Sequence, residues 1–143
     1  MDIDDPEIVA EVTAVFESYE HALVHNDVDT LGELFLDGPA TIRYGIGENL
    51  YGSEEIAAFR KARPSAGLDR RLARTVVTAY GRDTAVVSTL FYRDLAPATV
   101  GRQMQTWVRT AEGWRVAAAH VSIIDTPAYF NDVVLGMIEI SDE

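Results

Sequence analysis

The chain has 143 residues, of which 48% are hydrophobic, a formal net charge of −11 and no cysteine. Its length and apolar content suit one globular domain, and its negative charge opposes general binding to nucleic acids or to anionic membrane surfaces. The lack of cysteine excludes disulfides, thiolate nucleophiles and sulfur-ligated metals, and it fits a reducing compartment.

The N-terminal segment does not resemble an export signal. Three of its first five residues are aspartates, and no apolar run approaches the roughly 20 residues of a membrane-spanning helix. We therefore expect a cytoplasmic protein without a membrane role. Residues 1–143 should form one domain that begins with a flexible stretch at residues 1–4.

The first part of the chain carries two helix patterns. Asp5 and Pro6 predict a helix start, because aspartate caps free backbone N–H groups and proline fits the first helical position. Apolar residues then recur at helical spacing to about Val24 and form a buried stripe centred on Tyr19. A second, short helix is predicted after residues 26–29.

The remaining chain predicts a short strand, a helix and four longer strands. Residues 41–44 predict the short strand, and residues 53–55 should cap a third helix that runs to Pro64. The four longer strands, joined in part by hairpin turns, are predicted at residues 72–80, 84–92, 102–109 and 114–124. This order predicts an α+β fold in which helices cover one face of a curved antiparallel sheet and enclose a pocket.

The segment after Pro127 is rich in apolar residues and should not stay exposed to water. It could fold back on its own domain or pack across a homodimer interface. We expect a homodimer.

Tyr19 and Arg43 are the first candidates for a functional site. A tyrosine in a buried stripe needs a partner for its hydroxyl, which in an ordinary core is a backbone carbonyl. Arg43 alternates with Ile42 and Tyr44, so its guanidinium lies on one face of the sheet. If that face lines the pocket, a carboxylate or a ligand must compensate the charge. The alternatives are a structural ion pair and an outward-facing arginine.

Polar residues on the last two strands extend this candidate site. Gln103, Gln105 and Trp107 share one strand face, and His120 and Ser122 share one face of the next strand. No acid adjoins His120, and Ser122 is not in a Gly-x-Ser-x-Gly elbow. We therefore predict that Gln105, Trp107, His120 and Ser122 bind substrate.

The other charged groups give weaker signals. His21 and His25 lie four residues apart, on the side of the first helix away from Tyr19, and no third metal ligand follows from spacing. We expect neither a metal nor another cofactor. The basic clusters at residues 60–63 and 70–74 could steer an anionic substrate, although surface salt bridges explain most of these residues more simply.

Several strings along the chain stand together in a specific order: Arg43-Tyr44-Gly45, Asn49-Leu50-Tyr51-Gly52, Ala62-Arg63-Pro64-Ser65, Gly101-Arg102-Gln103, Gln105-Thr106-Trp107-Val108-Arg109, Gly113-Trp114-Arg115-Val116 and Ala118-Ala119-His120-Val121-Ser122. With this combination, roughly residues 5 to 126 resemble the AtzH-like family, which includes the HpxZ proteins of oxalurate catabolism. The resemblance implies a nuclear transport factor 2-like cone.

The resemblance also implies a role in the bacterial catabolism of nitrogen-rich compounds such as cyanuric acid and oxalurate, beside a larger amidase. The implied activity is amidase-like, removing one N-carboxyl group from a dicarboxylated urea to leave allophanate. The tyrosine and the arginine that the family implies as its working pair match Tyr19 and Arg43.

Two functions remain open on the sequence. One is a small C–N hydrolase acting on a carboxylated urea, which the pairing of Tyr19 with Arg43 favours. The other is a non-catalytic protein that binds such an anionic ureido metabolite or docks on the amidase, which the missing nucleophile, metal motif and carboxylate base favour. An isomerase or dehydratase would need an acidic base facing the pocket, and the sequence places none.

Overall fold

Residues 1–125 are described by the computed structural model, and they form helices packed on one six-stranded sheet. The helices are α1 (Pro6–Val24), α2 (Val28–Leu34) and α3 (Ser53–Ala62). The strands are β1 (Ile42–Tyr44), β2 (Asn49–Tyr51), β3 (Arg71–Tyr80), β4 (Thr84–Tyr92), β5 (Thr99–Thr110) and β6 (Gly113–Asp125). The predicted α+β architecture is confirmed.

The strands follow the order β2-β1-β6-β5-β4-β3 across the sheet. Neighbouring strands are antiparallel except β1 and β6, which are parallel and pair Arg43 with Ala119. The sequence predicted only antiparallel pairing. The parallel pair arises because the chain crosses from β1 through β2, α3 and the β3–β5 meander before β6 returns beside β1.

Helix α1 covers the inner face of the sheet. The Asp5 carboxylate accepts a hydrogen bond from the Glu7 N–H at 3.0 Å, and Pro6 occupies the first turn, as predicted. The buried stripe of α1 includes Ile8, Val12, Phe16, Tyr19 and Leu23. This stripe packs in one cluster with inward-facing residues of β3 to β6, so Tyr19 lies against the middle of the sheet.

The curvature of the sheet has a local cause in β3. Its register with β4 shifts between Ala73 and Val76, and Arg74 adopts a left-handed backbone with a φ of 53°. A bulge of this kind bends a strand and increases its twist. The result is an edge that curves and leaves room between the sheet and the helices.

Two local expectations are corrected, one for β2 and one for the start of α3. Residues 1–4, for which flexibility was predicted, make backbone contacts with the end of β3 and the turn after it: Asp4 N–H donates to the Ala79 carbonyl at 2.9 Å and Gly81 N–H donates to the Asp2 carbonyl at 2.8 Å. Strand β2 was not predicted; it pairs with β1 across a turn in which Gly45 N–H donates to the Glu48 carbonyl at 2.9 Å.

Ser53 is not a cap for α3 but its first residue. The cap position belongs to Gly52, whose φ of 88° is in the left-handed region that glycine tolerates. The Ser53 hydroxyl instead accepts from the Gly38 N–H and donates to the Asp37 carboxylate, each at 2.9 Å. These bonds tie the start of α3 to the loop after α2.

Among the residues that the structure describes, no helix is both long enough and apolar enough to cross a membrane. The predicted packing of the segment after Pro127 lies outside the described residues.

Candidate functional site

A cavity of about 420 Å³ lies between α1, the end of α3 and the inner face of the sheet. Its polar wall contains Glu48, Gln103, the hydroxyl-bearing ring of Tyr19 and four arginines, namely Arg43, Arg63, Arg70 and Arg93. Apolar residues of α1, α3 and the strands complete the wall. The cavity is therefore locally cationic in a chain whose net charge is −11.

Tyr19 is only 2% exposed, and aromatic rings hold it in place. Its ring meets Trp107 edge to face, with the centroids 6.4 Å apart, and stacks near Phe16. The Nη2 of Arg60 donates to the Tyr19 hydroxyl oxygen at 3.3 Å. Because the oxygen accepts this bond, the phenolic hydrogen is free to be donated to a group in the cavity.

Arg60 is a buried cation directly behind Tyr19. It is 1% exposed, and its guanidinium carbon lies 5.8 Å from the Tyr19 ring centroid and 5.0 Å from that of Phe35. Its Nε and Nη1 have no hydrogen-bond partner within residues 1–125. A buried charge without a carboxylate is costly, so this position needs a functional explanation.

The arginines make the Tyr19 phenol more acidic than a free tyrosine. Burial by itself raises the pKa of Tyr19, but the positive charges of Arg60, Arg43 and Arg70, together with the hydrogen bond from Arg60, outweigh it, and the pKa falls below its ordinary value. A phenol in this environment gives up its proton more readily, because the phenolate that remains is surrounded by cations.

Arg43 lies in the wall of the same cavity as Tyr19. It is buried, its Nη1 donates to the Glu48 Oε1 at 2.9 Å, and its guanidinium carbon lies 5.6 Å from the Phe59 ring centroid. The ion pair with Glu48 does not fill the cavity. The structure thus brings the two residues together as the sequence predicted, while their roles remain predictions.

Arg70, in the wall of the cavity, joins α1 to the sheet. Its Nε and Nη2 donate to the two carboxylate oxygens of Glu20 at 2.8 and 2.6 Å, and its Nη2 also donates to the Gln103 Oε1 at 3.1 Å. The guanidinium lies over the ring of Phe91, 4.6 Å from its centroid. This bidentate pair fixes both Arg70 and the orientation of the Gln103 amide.

Arg63 enters the cavity from the end of α3. Its Nε and Nη2 are buried and have no hydrogen-bond partner in the described chain. Burial, with the nearby Arg60 charge as a second cause, lowers the pKa of Arg63 to about 10. Arg63 therefore remains charged at neutral pH and lines the cavity with two shielded donors that have no acceptor within the described residues.

The other residues predicted to bind substrate lie elsewhere. Gln105 and Trp107 face inward but lie in the core beneath Tyr19, where the Trp107 Nε1 donates to the Gln105 Oε1 at 3.1 Å. Gln103, two residues away on the same strand face, lines the cavity instead.

His120 and Ser122 lie on the opposite face of the sheet, which corrects their predicted placement. The inward positions of β6 belong to Ala119 and Val121. His120 is exposed and contacts the Tyr44 ring, and the Ser122 hydroxyl accepts from the Arg102 Nε at 3.1 Å. Side chains alternate along a strand, so these two cannot reach the cavity.

His21 and His25 stack on each other at the surface of α1, with ring centroids 4.2 Å apart. No group of three or more histidine, aspartate or glutamate side chains that could hold a metal ion occurs in residues 1–125.

Sequence reasoning missed Arg60, Arg63 and Arg70 as parts of the site, although it noted their basic clusters. One signal could have found the first two. Ile56, Phe59, Arg60 and Arg63 recur at the helical spacing of a buried face, so the arginines on that face point toward the core. The carboxylate of Glu48 had no comparable signal, since it lies in a turn.

Helices packed inside a curved sheet, closed around a polar cavity, define the nuclear transport factor 2-like class of α+β proteins. An NTF2-like protein with a cystatin-like fold from Novosphingobium aromaticivorans has this fold; it is 20% identical, with a TM-score of 0.65 over 94% of this chain and 90% of that chain. Within this class, the sequence model of the AtzH-like family matches residues 1–127, and the chain belongs to that family.

Two crystal structures are more similar in sequence. A protein with unknown function from Pectobacterium atrosepticum is 58% identical, with a TM-score of 0.85 over 87% of this chain and 96% of that chain. A cystatin-like fold protein from Burkholderia xenovorans is 49% identical, with a TM-score of 0.84 over 89% of this chain and 99% of that chain. No curated protein matches this chain in sequence.

Proposed function

We propose that the protein is a small amidase-like C–N hydrolase that removes one N-carboxyl group from a carboxylated urea, converting a 1,3-dicarboxyurea-like substrate to allophanate in bacterial nitrogen-compound catabolism. The observation that carries the proposal is that Tyr19 and Arg43 line one cavity. Membership of the AtzH-like family supports the metabolic setting.

The charge of the cavity supports an anionic substrate. Four arginines line it and Arg60 lies behind it, whereas Glu48 and Glu20 are the carboxylates paired with these arginines. A chain of net charge −11 repels anions at long range, so affinity must come from the local cations. Planar guanidinium groups bind carboxylates through two parallel hydrogen bonds.

The proposed hydrolysis uses water, Arg43 and Tyr19. Arg43 orients a carboxylate of the substrate, and water adds to its carbon as the C–N bond breaks. The Tyr19 phenol donates its proton to the leaving nitrogen, which is otherwise a poor leaving group, and the phenolate recovers a proton from the attacking water. The products are allophanate and bicarbonate. Glu48, in the wall beside Arg43, orients the attacking water by accepting a hydrogen bond from it.

A non-catalytic role is the second candidate, in which the protein binds the same ureido anion or works beside an amidase. It is favoured by the pairing of Glu48 with Arg43, because this ion pair occupies the carboxylate that would otherwise face the substrate.

Turnover of freshly generated dicarboxylated urea distinguishes the hydrolytic role from the non-catalytic role. Purified protein should accelerate the appearance of allophanate, followed by mass spectrometry, over a buffer control. Arg43→Lys keeps the charge but loses the planar two-pronged grip, so it should weaken binding nearly as much as Arg43→Ala. Arg102→Lys, on the opposite face, is the matched control. No acceleration by the wild-type protein would favour the binding role.

A further inference from the structure

Six buried side-chain nitrogens in and behind the cavity have no hydrogen-bond partner within the described residues. They belong to Arg60, Arg63, Gln103 and Gln105. All six are donors. A buried donor without an acceptor is unfavourable, so a ligand rich in acceptor oxygens would compensate those donors that it reaches.

Arg63 and Gln103 are the two of these residues that line the cavity. Gln103 is 2% exposed, and its Oε1 is taken by the Arg70 Nη2 at 3.1 Å. The amide group can therefore offer only its N–H donors to a ligand. Arg63 offers Nε and Nη2, the two adjacent donors that grip a carboxylate side-on.

The donors of Arg63 and Gln103 are distinct from Arg43, which is proposed to bind the carboxylate that is removed. The guanidinium carbons of Arg43 and Arg63 lie 5.6 and 6.0 Å from the centroid of the same Phe59 ring, so the two cations are at most about 12 Å apart. Arg43 shares its charge with Glu48, while Arg63 has no ion-pair partner within residues 1–125. The cavity thus presents two cationic points across a short distance.

We infer that Arg63 and Gln103 form a second carboxylate subsite, so that the cavity selects short dicarboxylates held at both ends. One carboxylate binds at Arg43 beside Tyr19, and the other binds at Arg63 and Gln103. This deepens the proposed function, on which its catalytic consequence rests. Removal of one carboxyl group leaves a monoanion that occupies only one subsite, so the product is released rather than cleaved again.

A pair of probes without a C–N bond tests the subsite apart from turnover. In 3-oxoglutarate, methylene groups replace the two nitrogens of dicarboxyurea, and the length and both charges are kept. Acetoacetate is the matching monoanion. It lacks one carboxylate of 3-oxoglutarate, just as allophanate lacks one carboxylate of dicarboxyurea. Titration calorimetry with freshly dissolved probes at one ionic strength gives both dissociation constants. The wild-type protein should bind 3-oxoglutarate roughly 10-fold to 100-fold more tightly, since a charge-assisted hydrogen bond contributes about 1.5–3 kcal/mol.

Two variants remove the second subsite in different ways. Arg63→Gln deletes the charge. Gln103→Glu keeps the shape and the acceptor for Arg70 but turns the free donor into a carboxylate oxygen that repels the ligand. Each variant should abolish the preference for the dianion and leave acetoacetate binding within about threefold. Arg71→Gln, which removes an exposed arginine paired with Asp94, should keep the preference.

Equal affinity of the wild-type protein for both probes would overturn the inference. So would an equal loss of affinity for both probes in the Arg63 and Gln103 variants. These outcomes are separable from a failure of the proposed hydrolysis. A protein that prefers the dianion but forms no allophanate keeps the subsite and loses the enzymatic role, whereas one that forms allophanate without the preference keeps only the enzymatic role.

Discussion

At the scale of single residues, the site depends on one phenol and the unpaired guanidinium behind it. The Arg60 Nη2 donates to the Tyr19 oxygen at 3.3 Å, and no carboxylate neutralises Arg60 within the described residues. Elsewhere in the site, Arg43 and Arg70 each have a glutamate partner. Arg60 has no such partner in residues 1–125, and it is the cation that donates to the Tyr19 oxygen, so its charge stabilises the phenolate.

Removal of the hydroxyl should separate chemistry from binding. Tyr19→Phe keeps the packing against Trp107 and should lower turnover by roughly 10²-fold to 10⁴-fold, with little change in the affinity for 3-oxoglutarate. Single-turnover rates and calorimetry measure the two effects. Tyr80→Phe, at the sheet edge, is the control. Full turnover in Tyr19→Phe would exclude Tyr19 as the proton donor.

Removal of the cation should stabilise the fold and impair the site. Arg60→Met eliminates a buried charge without a partner, so its free energy of unfolding in urea should be equal to or about 1 kcal/mol higher than that of the wild type. The pKa of Tyr19, followed by tyrosinate absorbance, should rise. A loss of more than about 2 kcal/mol together with an unchanged Tyr19 pKa would show that Arg60 is only structural.

The lowered pKa of Tyr19 also predicts a pH dependence. Burial opposes the shift and the arginine charges produce it, so the folded protein releases this proton at lower pH than the unfolded chain. The resulting stability is gained as pH rises from the folded pKa to the ordinary value of tyrosine, and it is lost as pH falls back through the folded pKa. The free energy of unfolding in urea, measured across this pH window, should rise less for Tyr19→Phe than for the wild type.

At the scale of elements, α1 is fixed to the start of β3 by Glu20 and Arg70. The Arg70 side chain is 2% exposed, so its bidentate pair with Glu20 is largely shielded from water. Loss of one partner in such a pair leaves an uncompensated buried charge. This contact sets the distance between the helix that carries Tyr19 and the strand face that carries Gln103.

Glu20→Gln should therefore destabilise the protein by about 3 kcal/mol or more in denaturant unfolding. Asp94→Asn breaks a pair with Arg71 in which both side chains are mostly exposed, and it should change stability by less than about 0.5 kcal/mol. If the two variants unfold at the same denaturant concentration, the Glu20 pair does not hold α1 against the sheet.

At the scale of the whole molecule, the two faces of the sheet differ. The inner face forms the cavity, and the outer face carries a row of aligned residues across four strands: Val76, Ser88, Met104 and His120. Met104 is 55% exposed. Val76, in the same row, is also 55% exposed, so the outer face presents apolar surface that association would cover.

We predict a homodimer formed through this outer face. Light scattering at micromolar concentration should give twice the 15.8 kDa chain mass, and Met104→Glu should shift the protein toward the monomer. Leu95→Glu changes an exposed leucine outside the strands and should leave the mass unchanged. A wild-type monomer under these conditions would contradict the prediction.

The sequence by itself determined every helix, every strand except β2, and the direction of the side chains on α1 and β5. Helical spacing predicted α1 with Tyr19 on its buried stripe, and alternation predicted β3 to β6 and the shared face of Gln103, Gln105 and Trp107. These signals are local, because the periods of 3.6 and 2 follow from the geometry of a single helix or strand. The likeness of several strings also indicated the family.

Only the tertiary structure decided which inward residues reach the cavity. Arg60 and Tyr19 are 41 positions apart, and Arg70 and Glu20 are 50 apart. The contacts between these residues depend on how far the sheet curves and on the parallel pairing of β1 with β6. Neither feature produces a periodic pattern in the sequence. For the same reason Gln103 lines the cavity while Gln105 lies in the core: curvature moves residues on one strand face to different depths beneath the helix.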